Sequence, residues 1–291
     1  MLHLKGHAHL ILLIVTLMVG VEMLLVLSTA RRPYPWRDPA ASILVAVGHR
    51  LTRGVGGVVL TPVYLSVWDH RLLTLPLGSY WTWAGLFLGV EFLYYWHHRL
   101  SHRVRFFWTS HSVHHSSEDL VLAAAYRLPW TDGLGGLWLF WLPLVFLGFN
   151  PAAVLGVFGI NLVYQIWLHT TLIPKLGPLE WVLNTPSHRR VHHSSEARHL
   201  DKNFGGVLIL LDRLFGSYAA EVRPPRQYGI AGAAPSYNPF KIALGPWLEL
   251  GRDLLLAKDW RMRVVILFGP PDGHHPAGMS RGRHEMRRSQ P

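Results

Sequence analysis

Five long apolar runs constrain the fold of this chain more than any other feature. Residues 10–30 are almost wholly apolar, and about 20 such residues are enough for a helix to cross a ~30 Å hydrocarbon layer. The apolar core of a cleaved leader is shorter, ~7–15 residues, so this run reads as a retained anchor. A second run, 41–68, is interrupted by His49, Arg50 and Arg53 and is clean over 54–68. The third, 80–96, reads YWTWAGLFLGVEFLYYW, with aromatic ends suited to a membrane–water boundary. The fourth and fifth, 134–149 and 152–168, are separated only by Asn150 and Pro151, which predicts a tight helical hairpin. The strict apolar–polar alternation of barrel strands is absent. The expected fold is therefore all-α: an integral membrane bundle of four to five helices with a helical cap on the cytoplasmic side. Residues 1–270 read as one domain, with a histidine-rich core at 91–218. Residues 271–291 read as a disordered basic tail, and residues 238–256 as an amphipathic helix.

Charge follows the same topology. The chain of 291 residues has 28 Lys and Arg against 17 Asp and Glu, a net charge of +11. If the segment after the first run is cytoplasmic, nearly all basic residues fall on one side, as multi-pass proteins require. Basic residues there attract anionic headgroups. No nucleic-acid-binding motif accompanies the charge, so nucleic acid is not an expected partner. The absence of Cys excludes disulfides, thiolate metal sites and a Cys nucleophile.

Of the 19 His, 11 lie between His97 and His199, at the ends of the apolar runs expected on the cytoplasmic side. His98 and His102 are four apart, which places both on one helix face. His111, His114 and His115 repeat that logic at i, i+3 and i+4. His169 follows the fifth run, and His188, His192 and His193 close the series. Eight or nine imidazoles exceed what one ion accepts, so two ions are expected. Imidazole suits Zn, Cu, Fe and Ni. Neither HxxxH carries the Glu that a zinc hydrolase pairs with it. A pair of irons gives a reason for the lipid setting, because it activates O2 beside apolar C–H bonds. His97, His199, His49 and His70 read as residues off the metal face.

At these residues the chain resembles the fatty acid hydroxylase / sterol desaturase superfamily of membrane di-iron enzymes. YYWHHRLSH (94–102), WTSHSVHHSSE (108–118) and LHTTLIPKLGPLEWVLNTPSHRRVHH (168–193) resemble its three histidine boxes. The strip LDKNFGGVLILLDRLFGSY (200–218) is similar to the alkylglycerol monooxygenase-like branch. The resemblance implies metal ligation by His98, His102, His111, His114, His115, His169, His192 and His193. It also shows one departure. The third box should read HxxHH, and position 189 is Arg. His188, four residues before His192, is the expected replacement ligand, with Arg189 pointing outward because two nearby cations would repel it. The other reading leaves one iron with an open position. Glu91, Asp201 and Asn203 are candidates for orienting the ligands; capping or turn formation is the competing role for each. Gly205 and Gly206 read as a close-packing pair.

The implied reaction is O2-dependent hydroxylation of an unactivated lipid C–H (fatty acyl, sterol or ether lipid). Desaturation on the same site is the alternative, and a non-enzymatic metal-binding membrane protein is the other. The chain has no flavin, haem or iron–sulfur motif, so electrons must come from a ferredoxin, a cytochrome b5-like partner or a pterin.

Overall fold

The computed structural model describes residues 16–28 and 34–271. The beginning of the first apolar run, Lys5, Arg31, Arg32 and the basic tail from residue 272 with His274, His275 and His284 lie outside the described residues. The described residues are helical, with two isolated bridges, Leu183 to Leu208 and Ser194 to Tyr228, and no strand. In chain order the helices are α1 (Thr16–Ser28), α2 (Arg37–Asp69), α3 (Tyr80–Arg103), α4 (Arg105–His115), α5 (Leu142–Leu147), α6 (Pro151–Ile166), α7 (Pro186–His193), α8 (Leu210–Leu214), α9 (Pro239–Leu256) and α10 (Trp260–Phe268). Short 3-10 turns join several of them.

Among the described residues no single helix is long and apolar enough to cross a membrane alone. The two halves of α2, Arg37–Gly54 and Gly56–Asp69, pass that test together but are bent by 47°. The sequence there is GVGG, and glycine pairs are a common cause of helix bends. The fourth and fifth apolar runs do form a hairpin. The hairpin turns on Gly148, whose φ of +117° ends α5, and on Asn150, whose Oδ1 accepts from the Ala152 and Ala153 amides. Helix α5 is only 6 residues long, so the hairpin is asymmetric.

Tyr64, Leu86, Val90, Trp141, Leu144, Val145, Val154 and Val157 form the main apolar core, between α2, α3, α5 and α6. Leu86 and Val90 are one turn apart on α3, and both are fully buried against it. This core fixes α3, whose last turn carries His98 and His102. Val104 then adopts an extended conformation, with φ −115° and ψ 118°, and breaks the chain between α3 and α4. Without that break the two histidine pairs would continue along one rod; with it, α4 folds back beside α3.

Polar pairs anchor the connections. Arg127 is fully buried and donates to Asp38 Oδ1 at 2.5 Å, Ser42 Oγ at 3.0 Å and Ser116 Oγ at 2.9 Å. This ties α2 to the end of α4. Glu22 of α1 accepts from Thr170 Oγ1 at 2.6 Å and from the Leu122 amide at 2.7 Å, a structural role. Helix α9 starts where the sequence suggested, with Asn238 Oδ1 capping the Phe240 and Lys241 amides.

Candidate metal centre

Helix periodicity decides which histidines meet. His98 and His102 on α3 and His111 and His115 on α4 are both i, i+4 pairs, and the α3–α4 fold-back points them at each other. With His192 of α7 they place five imidazole nitrogens within 4.8 Å of one another. His114, His169 and His193 form a second group by the same measure. The groups adjoin, because the His115 and His193 rings stack at 4.4 Å. Eight of the nine expected ligands are thus brought together in two clusters.

Backbone carbonyls set the tautomers of three rings in the clusters. His98 Nδ1 lies 2.7 Å from the Phe204 carbonyl oxygen, His192 Nδ1 2.8 Å from that of Lys202, and His169 Nδ1 2.9 Å from that of Gln165. A carbonyl oxygen only accepts, so each Nδ1 carries the proton and each Nε2 presents a lone pair. Burial, reinforced by neighbouring rings and Arg189, holds His98, His111, His114, His115, His169, His192 and His193 well below the usual imidazole range. Burial also lowers His102, and the Asp201 carboxylate 3.6 Å from its Nδ1 opposes that shift. Neutral imidazole is the ligating form.

The five-histidine group fits a cation. Within it, the Nε2 atoms of His102, His115 and His192 are buried without any hydrogen-bond partner. His98 Nε2, already assigned a lone pair, sits 3.1 Å from His111 Nε2. Buried nitrogens are rarely left unpaired. The five nitrogens lie within 4.8 Å of one another, the scale on which several side chains reach one ion.

The three-histidine group differs. Arg189 donates from Nε to His169 Nε2 at 3.0 Å and from Nη2 to His114 Nε2 at 2.6 Å. The expectation that Arg189 points outward is corrected. Its side chain is buried within the cluster, and burial pushes its guanidinium down to about 10. His188 stands outside both groups. Its Nδ1 is 3.5 Å from Thr185 Oγ1 and its ring faces Tyr218 at 5.6 Å. The reason is helix phase. Residues 189, 192 and 193 share the inward face of α7, and residue 188 lies about 90° from its centre.

The supporting residues divide. Asp201, at φ 58°, sets its carboxylate beside His102 and Arg103. Glu91 meets no histidine. It accepts from Asn161 Nδ2 at 2.5 Å and from the Val207 and Leu208 amides at 3.0 and 2.8 Å, and so clamps the strip 200–208 to α3. Asn203, at φ 57°, bonds both the amide and the carbonyl of Ala219 and the His188 carbonyl. Gly206 packs where a Cβ would fall 2.2 Å from Asn161 Nδ2. Sequence reasoning missed Asp212, which accepts from the Phe204 and Gly205 amides, each at 2.7 Å, and holds the carbonyl that orients His98. Only its place in the resembling strip could have drawn attention to it. His97, His199, His49 and His70 take no part in either group. Their Ser101, Ser194, Pro129 and Ser66 contacts are local or structural.

Comparison with known proteins places this arrangement. The family model described as fatty acid hydroxylase matches residues 83–217, which contain every histidine of both groups. These residues belong to the fatty acid hydroxylase family. Its alkylglycerol monooxygenase-like branch provides relatives. Alkylglycerol monooxygenase of Xenopus tropicalis is 39% identical over 88% of this chain and 57% of its own length. The protein of the same name from Homo sapiens is 44% identical over 80% of this chain and 52% of its own. An ornithine lipid hydroxylase of Rhizobium tropici is 30% identical over 58% of this chain and 51% of its own. The chain thus spans about half the length of these relatives. No solved structure matches it significantly.

Proposed function

We propose that the protein hydroxylates an unactivated C–H bond of a membrane lipid, with O2 as co-substrate and electrons from an external donor, at iron held by His98, His102, His111, His115 and His192. The observation that carries this reading is the convergence of five neutral imidazoles, three of them with unpartnered buried Nε2 atoms. The monooxygenase and lipid hydroxylase names of the relatives support it. Bound iron would supply the O2 activation that no side chain of this protein can perform.

The protein's own contribution is orientation and exclusion. The Phe204 and Lys202 carbonyls and the Asp201 carboxylate fix the rings of His98, His192 and His102, as partners behind a metal ligand do. The buried shell keeps bulk water from an oxidising centre. An ether lipid of the alkylglycerol type is the first substrate to test, given the relatives' names. A ferredoxin, a cytochrome b5-like protein or a pterin is the donor class.

We also propose a multi-pass membrane setting with the histidines at its cytoplasmic face. Exposed apolar side chains on α1, α2, α3 and α6, such as Leu24, Leu51, Val58, Leu88 and Ile160, favour lipid contact. So does the one-sided distribution of basic residues.

The test is turnover of an alkylglycerol by iron-loaded protein in lipid discs, under isotopically labelled O2 with a reduced donor. A product heavier by one labelled oxygen atom is expected. A product lighter by two hydrogens would make the protein a desaturase. Unchanged lipid, no O2 uptake and readily exchanged metal would make it a metal-binding protein without this activity.

A further inference from the structure

The inward faces of the histidine helices follow one rule. Residues four apart go to the same group: His98 with His102, His111 with His115, and Arg189 with His193. By that rule Arg189 stands where a fourth imidazole of the three-histidine group would stand. His114 Nε2 and His169 Nε2 are 3.2 Å apart and each accepts a hydrogen bond from the Arg189 guanidinium. Two lone pairs that close need a cation between them, and the chain itself provides it.

We propose that this protein has a one-metal centre, in the five-histidine group, and that Arg189 permanently takes the place of a second ion. The inference rests on the reading of the five-histidine group as an iron site. Three features carry it. A guanidinium stays charged in proteins, so an ion seated on the same nitrogens would face a like charge in a dry environment. The Nε2 atoms of His114 and His169 are already engaged by the guanidinium, which leaves His193 as the one ring of that group whose Nε2 has no protein partner, whereas three Nε2 atoms of the five-histidine group have none. The guanidinium has no easy exit, since all eight residues of α7 are buried and, among the described residues, no carboxylate pairs with Arg189 elsewhere. A single ion also suffices for binding. Five imidazoles are enough ligands to hold one ion.

The experiment is iron counting. Purified wild type, Arg189→His, His169→Ala and His192→Ala are stripped with chelator, reloaded with ferrous iron without O2, desalted and analysed for bound iron per chain. One iron is expected in wild type and in His169→Ala, a large loss in His192→Ala, and a twofold rise in Arg189→His. Two irons in wild type, iron loss in His169→Ala, or a folded Arg189→His variant that still holds one would each overturn the one-metal inference and leave the five-histidine reading standing. Folded wild type that binds no iron would overturn both. If Arg189→His does not fold, the His169→Ala and His192→Ala pair still decides.

Discussion

Acid should unfold the metal-free protein unusually early. The perturbation is a fall in pH from 6.5 to 5.5 after chelation. In the unfolded chain each imidazole titrates near 6.5. In the native structure His98, His111, His114, His115, His169, His192 and His193 are held far below that value, chiefly by burial. The unfolded state therefore binds more protons than the native state, and stability is lost as the pH falls through 6.5. Each ring that stays neutral costs about 1 kcal/mol over this one pH unit, so the seven together cost roughly 7 kcal/mol. Total stabilities are about 5–15 kcal/mol, so the effect is of the same size as the whole. At roughly 2 °C per kcal/mol for a chain of this length, the unfolding midpoint should drop by roughly 15 °C. His102 is left out of the sum because Asp201 offsets part of its shift. Tryptophan fluorescence during thermal unfolding in detergent, at a series of pH values, measures it. Iron-loaded protein should hold its midpoint to lower pH and then lose iron and fold together. A metal-free midpoint that is flat from pH 7.5 to 5.5 would refute the reasoning, because the rings would then be hydrated or charged in the native state.

Three further outcomes follow from the geometry. Asp201→Asn removes the anion beside His102, and iron affinity should fall by about 10- to 100-fold, read by chelator competition, with the fold intact by circular dichroism. Glu91→Leu leaves the Val207 and Leu208 amides and the Asn161 side chain without their acceptor. At about 1–3 kcal/mol for each buried unpaired group, the variant should melt much earlier and lose iron, since the freed strip carries the carbonyls behind His98 and His192. Arg190→Met strands Glu221, which Arg190 now grips at 2.6 and 2.8 Å in the interior; a loss of about 3–5 kcal/mol is expected, read by denaturant titration.

The histidine groups were largely legible in the sequence because a helix repeats its face every three to four residues. Any fold that keeps 98–102 and 111–115 helical brings those rings out in pairs. The hairpin around Asn150, the helix over 238–256 and the close packing at Gly206 were legible for similar local reasons: a turn residue, an amphipathic period and a missing Cβ act over a few residues. Glu91 shows the limit. Its spacing from His98 fitted a partner for an imidazole, yet one of its oxygens accepts from backbone amides more than a hundred residues away and the other from Asn161. Nothing in a linear spacing reveals which distant loop will need an acceptor.

The sequence by itself determined that this chain would gather imidazoles on short helices beside apolar ones, because residue type and helical period are local properties. Only the tertiary structure decided which rings belong to which group, that His188 is turned away, and that the Arg189 guanidinium lies among the rings. Those outcomes depend on the angle at which α3, α4 and α7 meet, and that angle is set by packing between segments far apart in the chain.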